Sequence, residues 1–190
     1  MTFDTLISIA LGIGLAAASG FRVFLPLFAL SLSACFGLWP LNDNWVWLGS
    51  ISALLILGTA SAAEALSYLV PLVDNLLDTL AVPLAAVAGT AVMASTAADL
   101  SPAVTWALAI IAGGGAAAAV KGANAATRAA GTVATGGLAN PLFSLFETAA
   151  AVFMSLLSLF LPALAALAVL LVGFLLYRRL RRHTLRNANP

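Results

Sequence analysis

Residues 6–38 read LISIALGIGLAAASGFRVFLPLFALSLSACFGL, an apolar stretch that contains Gly20, Arg22 and Pro26. A membrane-spanning helix needs about 20 apolar residues to cross roughly 30 Å of hydrocarbon, so this stretch is too long for one untilted span. Proline removes a backbone hydrogen-bond donor and clashes with the preceding helical turn. The stretch therefore predicts a first span that is broken or kinked between Gly20 and Pro26.

The rest of the chain has the same apolar character. Of its 190 residues, 63% are hydrophobic and 8% are charged, whereas soluble domains carry about 25% charged residues. Apolar runs such as residues 103–119 and 149–176 lack the alternation of membrane strands, and a helix satisfies its own backbone in lipid. We predict an all-α polytopic membrane helix bundle, a single integral membrane domain over residues 1–190 that has the lipid bilayer as its partner.

Prolines and polar patches divide the chain into about six predicted transmembrane helices, some of them broken. They cover residues 6–38, 45–69, 71–98, 103–120, 141–160 and 162–177. The polar stretch between the fourth and fifth spans, which contains Lys121 and Arg128, is predicted to be a loop.

Charge predicts the orientation of these spans. Five arginines lie in the tail at 178–190, and basic segments stay cytoplasmic by the positive-inside rule. Six spans then place both termini in the cytoplasm, with the loops around Asp43 and Asp99 outside. We therefore expect a multi-pass protein of the inner (plasma) membrane of a bacterium-like cell.

An internal repeat is faintly visible, because residues 11–22 and 111–124 are both rich in glycine and alanine. Two halves of three spans each, residues 5–98 and 103–178, would have opposite orientations, as in the inverted repeats of transporters. The alternative is that any two spans rich in small residues look alike. Small residues also let helices approach closely in lipid, which is compatible with a homo-oligomer.

Several charged residues lie in or beside the predicted spans. An ionised side chain at membrane depth costs about 2.5–3.5 kcal/mol on insertion scales, so those retained usually face a partner or a water-filled cavity. They are Arg22, Glu64, Asp74, Asp78, Lys121, Arg128 and Glu147. Apolar sequence surrounds Arg22 on both sides, so Arg22 is either part of a site at the helix break or paired with Glu64 or Glu147.

Asp74 and Asp78 are four residues apart, which puts both on one helix face. This spacing can hold Mg²⁺ on a diphosphate, but the motif is weak, and a solvated interfacial face with Asp74 near the helix start is the favoured explanation. Lys121 and Arg128 could bind lipid phosphate or could only follow the positive-inside rule.

The segment TGGLANPLFSLFE, residues 135–147, predicts a helix that starts at Asn140. Asn140 can cap this helix and Pro141 suits its first turn, which places Ser144 and Glu147 in the first two turns. A helix start directs free N–H groups toward any anion nearby, although a plain helix start needs no ligand. The predicted substrate- or ion-binding residues are Arg22, Glu64, Asp74, Asp78, Arg128, Asn140, Ser144 and Glu147.

Metal and cofactor chemistry has little support. Cys35 is the only cysteine and His183 the only histidine, so no disulfide or Cys/His metal cluster can form within one chain. We predict no cofactor and no metal site, and the isolated His183 excludes a Ser-His-Asp triad. Nucleic-acid binding is not predicted, because the only basic cluster is the tail.

Motifs along the chain resemble a known family. They are Gly20-Phe21-Arg22 with Leu25-Pro26-Leu27, Trp47-Leu48-Gly49, Glu64, Pro71-Leu72-Val73-Asp74, and Gly136-Gly137-Leu138-Ala139-Asn140-Pro141 with Ser144 and Glu147. They look like the bacterial membrane-protein family catalogued as domain of unknown function 4126, and the resemblance covers residues 6–177. It implies a small multi-span inner-membrane protein and supplies no activity.

The leading functional hypothesis is a transporter or channel-like protein for a small solute, ion or lipid. Broken helices near Arg22 and Asn140 would meet at mid-membrane and line a polar site with Glu64 and Glu147. One alternative is a membrane enzyme that acts on a lipid diphosphate with Mg²⁺ at Asp74 and Asp78. A structural or assembly protein is the other alternative, and catalysis is less favoured than transport.

Overall fold

The computed structural model describes residues 2–67, 71–136 and 138–187, with the side chains at 71–79, 176 and 179–187 outside that description. Within these ranges the chain is helical and contains no strand, so the all-α class is confirmed. The elements are α1 (Phe3–Ser19), α2 (Phe24–Cys35), a 3-10 helix (Asp43–Gly49), α3 (Ile51–Ser67), α4 (Pro71–Thr96), α5 (Pro102–Leu108), a π-helical segment (Ala109–Gly114), α6 (Gly115–Thr135), α7 (Asn140–Phe160) and α8 (Pro162–Asn187).

The first two helices form a hairpin. Leu11 and Leu15 of α1 pack in one buried cluster with Leu30 of α2, so the chain reverses its direction between the two helices. The reversal occurs at residues 20–23, which are not helical. The prediction of a single broken span over residues 6–38 is therefore wrong, because the break turns the chain back along α1.

Both ends of this hairpin lie beside the end of α4. The N–H of Ala98 donates to Ser8 Oγ over 3.4 Å, and the N–H of Asn42 donates to the carbonyl of Ser95 over 2.9 Å. The start of α1 and the loop that contains Asp43 thus occupy the same end of the bundle. The prediction that they lie on opposite sides of a membrane is wrong for the same reason, the reversal at the break.

The helix after Pro102 continues much farther than predicted. The π-helical segment Ala109–Gly114 joins α5 and α6 into one helical stretch over Pro102–Thr135. Gly136 ends α6 in the left-handed conformation, with φ 62°. Lys121 and Arg128 are buried on α6. The loop predicted for them is wrong, because the alanine-rich sequence favours helix and the bundle supplies contacts for both charges. Likewise α8 continues beyond Tyr177 to Asn187.

Many apolar side chains are exposed and several charged side chains are buried, which is the opposite of a soluble protein. Among the described residues, Leu55, Ile56 and Phe153 are exposed, while only 2% of Arg22 and of Lys121 is exposed. A soluble monomer rarely exposes such apolar surface, and charged residues within membranes face the interior of their bundle. The helices are thus compatible with a membrane protein.

Helix length and apolar character indicate which of the described helices could cross a membrane. Of the described helices, Pro102–Thr135 and Asn140–Phe160 are long and apolar enough to cross a membrane. A third crossing results if Asp43–Gly49 and Ile51–Ser67, bent by 66°, form one span. The other apolar helices are shorter. The count of six spans and the inverted three-helix repeats are not confirmed and stay predictions.

Glycines allow α4 to contact the π-helical segment through the backbone. A Cβ atom added to Gly89 would lie 2.6 Å from the carbonyl oxygen of Gly113, and one added to Gly113 would lie 2.5 Å from that of Gly89. Neither oxygen can move without displacing a helix. Small residues at helix contacts are how backbones approach closely in lipid, so this pair fixes the distance between α4 and the helix beside it.

We expect Gly113→Ala to destabilise the protein by about 1–3 kcal/mol, the usual cost of an overpacked contact. Gly115→Ala is the matched control, since nothing lies within 4 Å of an added Cβ there and alanine favours helix. Thermal unfolding of both variants in detergent measures the difference. Equal melting temperatures for the two variants would contradict this account of the contact.

Candidate functional site

The helix break leaves carbonyl groups at the end of α1 that α6 binds. Lys121 Nζ donates to the carbonyl of Phe21 over 3.5 Å, and Asn124 Nδ2 donates to that of Gly20 over 3.4 Å. The last carbonyls of a helix have no partner within the helix, and the C-terminal end of a helix favours a cation. The buried ammonium of Lys121 therefore lies where the backbone has negative potential.

The start of α2 is bound by a carboxylate from another helix. Val23 and Phe24 donate their N–H groups to Glu64 Oε1 and Oε2 over 2.7 Å and 3.0 Å. Val23 is the N-cap residue and no side chain of its own segment caps α2. A carboxylate is stabilised at the N-terminal end of a helix dipole. Glu64, which is 8% exposed, thus caps α2 from α3.

Arg22 extends from the break toward α7. Its Nε donates to Thr148 Oγ1 over 3.0 Å, and its Nη2 donates to the carbonyl and the hydroxyl of Ser144 over 2.8 Å and 2.7 Å. Ser144 and Thr148 are one turn apart, so both face the guanidinium. The planar guanidinium can reach several acceptors at once, and this one connects the break to α7.

Glu64 and Glu147 have different partners. An ion pair with Glu64 was one of the alternatives for Arg22, but the carboxylate of Glu64 binds the backbone of the break. Glu147 Oε2 lies 3.3 Å from Arg128 Nη2, with about 6% of each side chain exposed. This ion pair joins α7 to α6. Removal of one partner of a buried ion pair is strongly destabilising, so this pair contributes to the packing of α6 against α7.

The remaining predicted site residues have different outcomes. Asn140 begins α7 but does not cap it, because Ala139 is the N-cap residue and no side chain caps there. Its Oδ1 accepts a hydrogen bond from Thr132 Oγ1 over 3.0 Å instead, so the predicted cap is wrong. The prediction of proline in the first turn is confirmed by Pro141. The side chains of Asp74 and Asp78 lie outside the described residues.

A cleft of about 280 Å³ opens beside Glu64. It lies between the start of α2, one face of α3 and the middle of α4. Glu64 is the only charged residue among the described residues that line it, and most of the others are apolar. They are Val23, Phe24, Ala60, Ala63, Ser67, Ala81 and Leu84.

Comparison with known proteins assigns the chain to a family. The family model described as Domain of unknown function (DUF4126) matches residues 9–182. The chain belongs to this family. No curated protein and no solved structure was found to match. The family description states no activity, so the function of this DUF4126 protein has to be argued from its own geometry.

Three contacts of the DUF4126 site were not predicted as site residues: Lys121, Asn124 and Thr148. Lys121 was considered and assigned to a loop. Thr148 lies four residues after Ser144, and Asn124 three after Lys121, so helical spacing places each on the face of a neighbour. The spacing of these polar residues could have predicted their shared faces, but for Lys121 and Asn124 only if residues 115–135 had been predicted to be helical.

The buried ion pair can be tested with a double-mutant cycle. We expect Arg128→Met and Glu147→Leu each to destabilise the protein by about 3–5 kcal/mol, since each leaves a buried charge behind. The double variant should lose less than the sum of the two, because residues in contact are not additive. Unfolding in detergent gives all three values.

Asp43→Asn serves as the control, because Asp43 is exposed. We expect it to change the free energy of unfolding by no more than about 0.5 kcal/mol. Strict additivity of the two substitutions would contradict a functional ion pair between α6 and α7.

Proposed function

We propose that this chain is a membrane transport protein, a transporter or channel, in which Glu64 takes up a proton or another cation. One observation carries the proposal. The Glu64 carboxylate is buried, binds both N–H groups at the start of α2, and lines an open cleft. Ionisable residues at membrane depth mark ion and substrate paths, and interrupted helices form the binding sites of many transporters.

The cap of α2 would couple ion uptake to the position of the hairpin. Hydrogen bonds to an ionised group are roughly twice as strong as those between neutral groups. Protonation of Glu64, or attraction of its charge into the cleft, weakens the bonds to Val23 and Phe24. The start of α2 is then held less firmly, while Arg22 still holds the break on α7. A shift of α2 against α7 would then change the surroundings of the Glu64 carboxylate on α3.

We further propose the inner membrane of a bacterium-like cell as the location. The basic tail at 178–190 supports a cytoplasmic C-terminus by the positive-inside rule. The extensive exposed apolar surface of the described helices supports a bilayer as their surroundings.

Flux into proteoliposomes tests the proposal. The purified chain is reconstituted with a pH-sensitive dye inside the vesicles, and a membrane potential is imposed; parallel vesicles receive labelled Na⁺ or K⁺. We expect the wild type to move protons or one of these cations faster than protein-free vesicles do. Glu64→Gln should reduce this flux to the protein-free rate, because the amide cannot take up a proton or attract a cation.

Asp43→Asn is the matched control, because it removes an exposed carboxylate outside the site and should leave flux unchanged. Size-exclusion elution and melting temperature show that each variant is folded. A wild type that moves none of the three ions would overturn the proposal, and full flux in Glu64→Gln would remove Glu64 from it.

A structural role is the second candidate, because Arg22, Glu64 and Arg128 make their described contacts within the chain. Under this role, Glu64→Gln lowers the melting temperature and there is no flux to lose. The magnesium-dependent enzyme stays a sequence prediction, since it needs Asp74 and Asp78. A melting temperature unchanged by Mg²⁺ with a prenyl diphosphate would count against it.

A further inference from the structure

We infer that the cleft beside Glu64 binds a small organic cation with apolar substituents, such as an alkylated ammonium. The inference rests on the proposed function, since Glu64 carries the charge in both, and it names the substrate class of that site. Three properties of the cleft select such a ligand: its charge, its walls and its size.

The charge of the cleft selects a cation. Glu64 is the only charged residue among its described lining residues. A carboxylate has about four acceptor sites on its two oxygens, and one N–H group is bound to each oxygen here. Acceptor capacity therefore remains for a ligand in the cleft, whereas an anion would meet a carboxylate with no counter-charge among the described lining residues.

The walls select an organic cation over a hydrated metal ion. Calcium takes six to eight oxygen ligands, and magnesium keeps several waters and demands octahedral geometry. Beyond Glu64, the described lining offers the Ser67 hydroxyl, which donates to the carbonyl of Ala63. The remaining walls are apolar side chains, which gain from contact with alkyl groups. Phe24 also lines the cleft, and aromatic rings bind quaternary ammonium groups.

The size of the cleft depends on alanines at helical spacing. Ala60, Ala63, Glu64 and Ser67 lie on one face of α3, as residues three and four apart do. The volume of about 280 Å³ is at the lower end for small-molecule pockets, which run from about 300 to 1,000 Å³. A compact cation with one ring or a few short alkyl groups suits this volume, and a larger side chain at position 60 would fill it.

Binding of radiolabelled benzyltrimethylammonium to the purified full chain in detergent tests the inference. We expect saturable binding to the wild type, because the carboxylate of Glu64 attracts the ammonium group. Neopentylbenzene, in which carbon replaces the charged nitrogen, should not displace the ligand. Displacement by this neutral compound at equal concentration would show that charge is not recognised and would overturn the inference.

Two variants of α3 locate the site. Ala60→Leu fills the cleft and keeps the carboxylate, whereas Ala62→Leu adds the same side chain at an exposed position of α3 outside the cleft lining. We expect the Kd of Ala60→Leu and of Glu64→Gln to rise at least about tenfold, which is ~1.4 kcal/mol. Ala62→Leu should bind like the wild type. Equal binding by the two leucine variants would overturn the inference, and this pair decides the matter if Glu64→Gln does not fold.

The flux and binding experiments distinguish failure of the proposed transport from failure of the proposed substrate class. Ion flux that depends on Glu64, without saturable binding of benzyltrimethylammonium, overturns the substrate class and leaves the proposed transport in place. Saturable binding lost in Ala60→Leu, in a reconstituted protein that moves neither the tested ions nor labelled benzyltrimethylammonium, supports the cation site and overturns transport.

Discussion

The fold depends on how the backbone groups at residues 20–23 are satisfied. Water is absent from the hydrocarbon core of a bilayer, so a broken helix is tolerated there only where protein or a wet cavity supplies its partners. Glu64 from α3 binds the N–H groups that begin α2, and Lys121 and Asn124 from α6 bind the carbonyls that end α1. The side chain of Arg22 binds α7. One break thus determines where three other helices lie.

The signs of these charges follow from the two helix ends that meet at the break. The end of α1 has negative potential and receives the ammonium of Lys121, whereas the start of α2 has positive potential and receives the carboxylate of Glu64. Close packing makes the first contact possible. A Cβ on Gly20 would lie 2.6 Å from the carbonyl oxygen of Ala117, so only glycine lets α6 come near enough for its side chains to reach the carbonyls of the break.

The features that could be predicted from the sequence are those that depend on residues close together in the chain. Composition indicated the helical membrane class, and Gly20 with Pro26 indicated the break. Proline, however, lies in the first turn of α2, where its missing donor is tolerated, so it begins the second helix of a hairpin. The reversal and the buried position of Lys121 were not predictable in this way. Lys121 donates to the carbonyl of Phe21, which is 100 residues away in the sequence. A charged side chain at membrane depth is costly unless it has a partner, so the local sequence alone favours a loop for Lys121.

Glu64 is both the cap of α2 and the charged wall of the cleft, so a ligand in the cleft and the start of α2 compete for one carboxylate. A cation that draws the carboxylate farther into the cleft would weaken the cap, and a movement of α2 that lengthens the cap would strengthen the attraction for the cation. Such coupling is reciprocal by thermodynamic necessity. The pair of Arg128 and Glu147 is outside this competition, since neither residue lines the cleft. Under the proposal, ligand binding would act on the contact of α2 with α3, whereas the ion pair joins α6 to α7 outside the cleft.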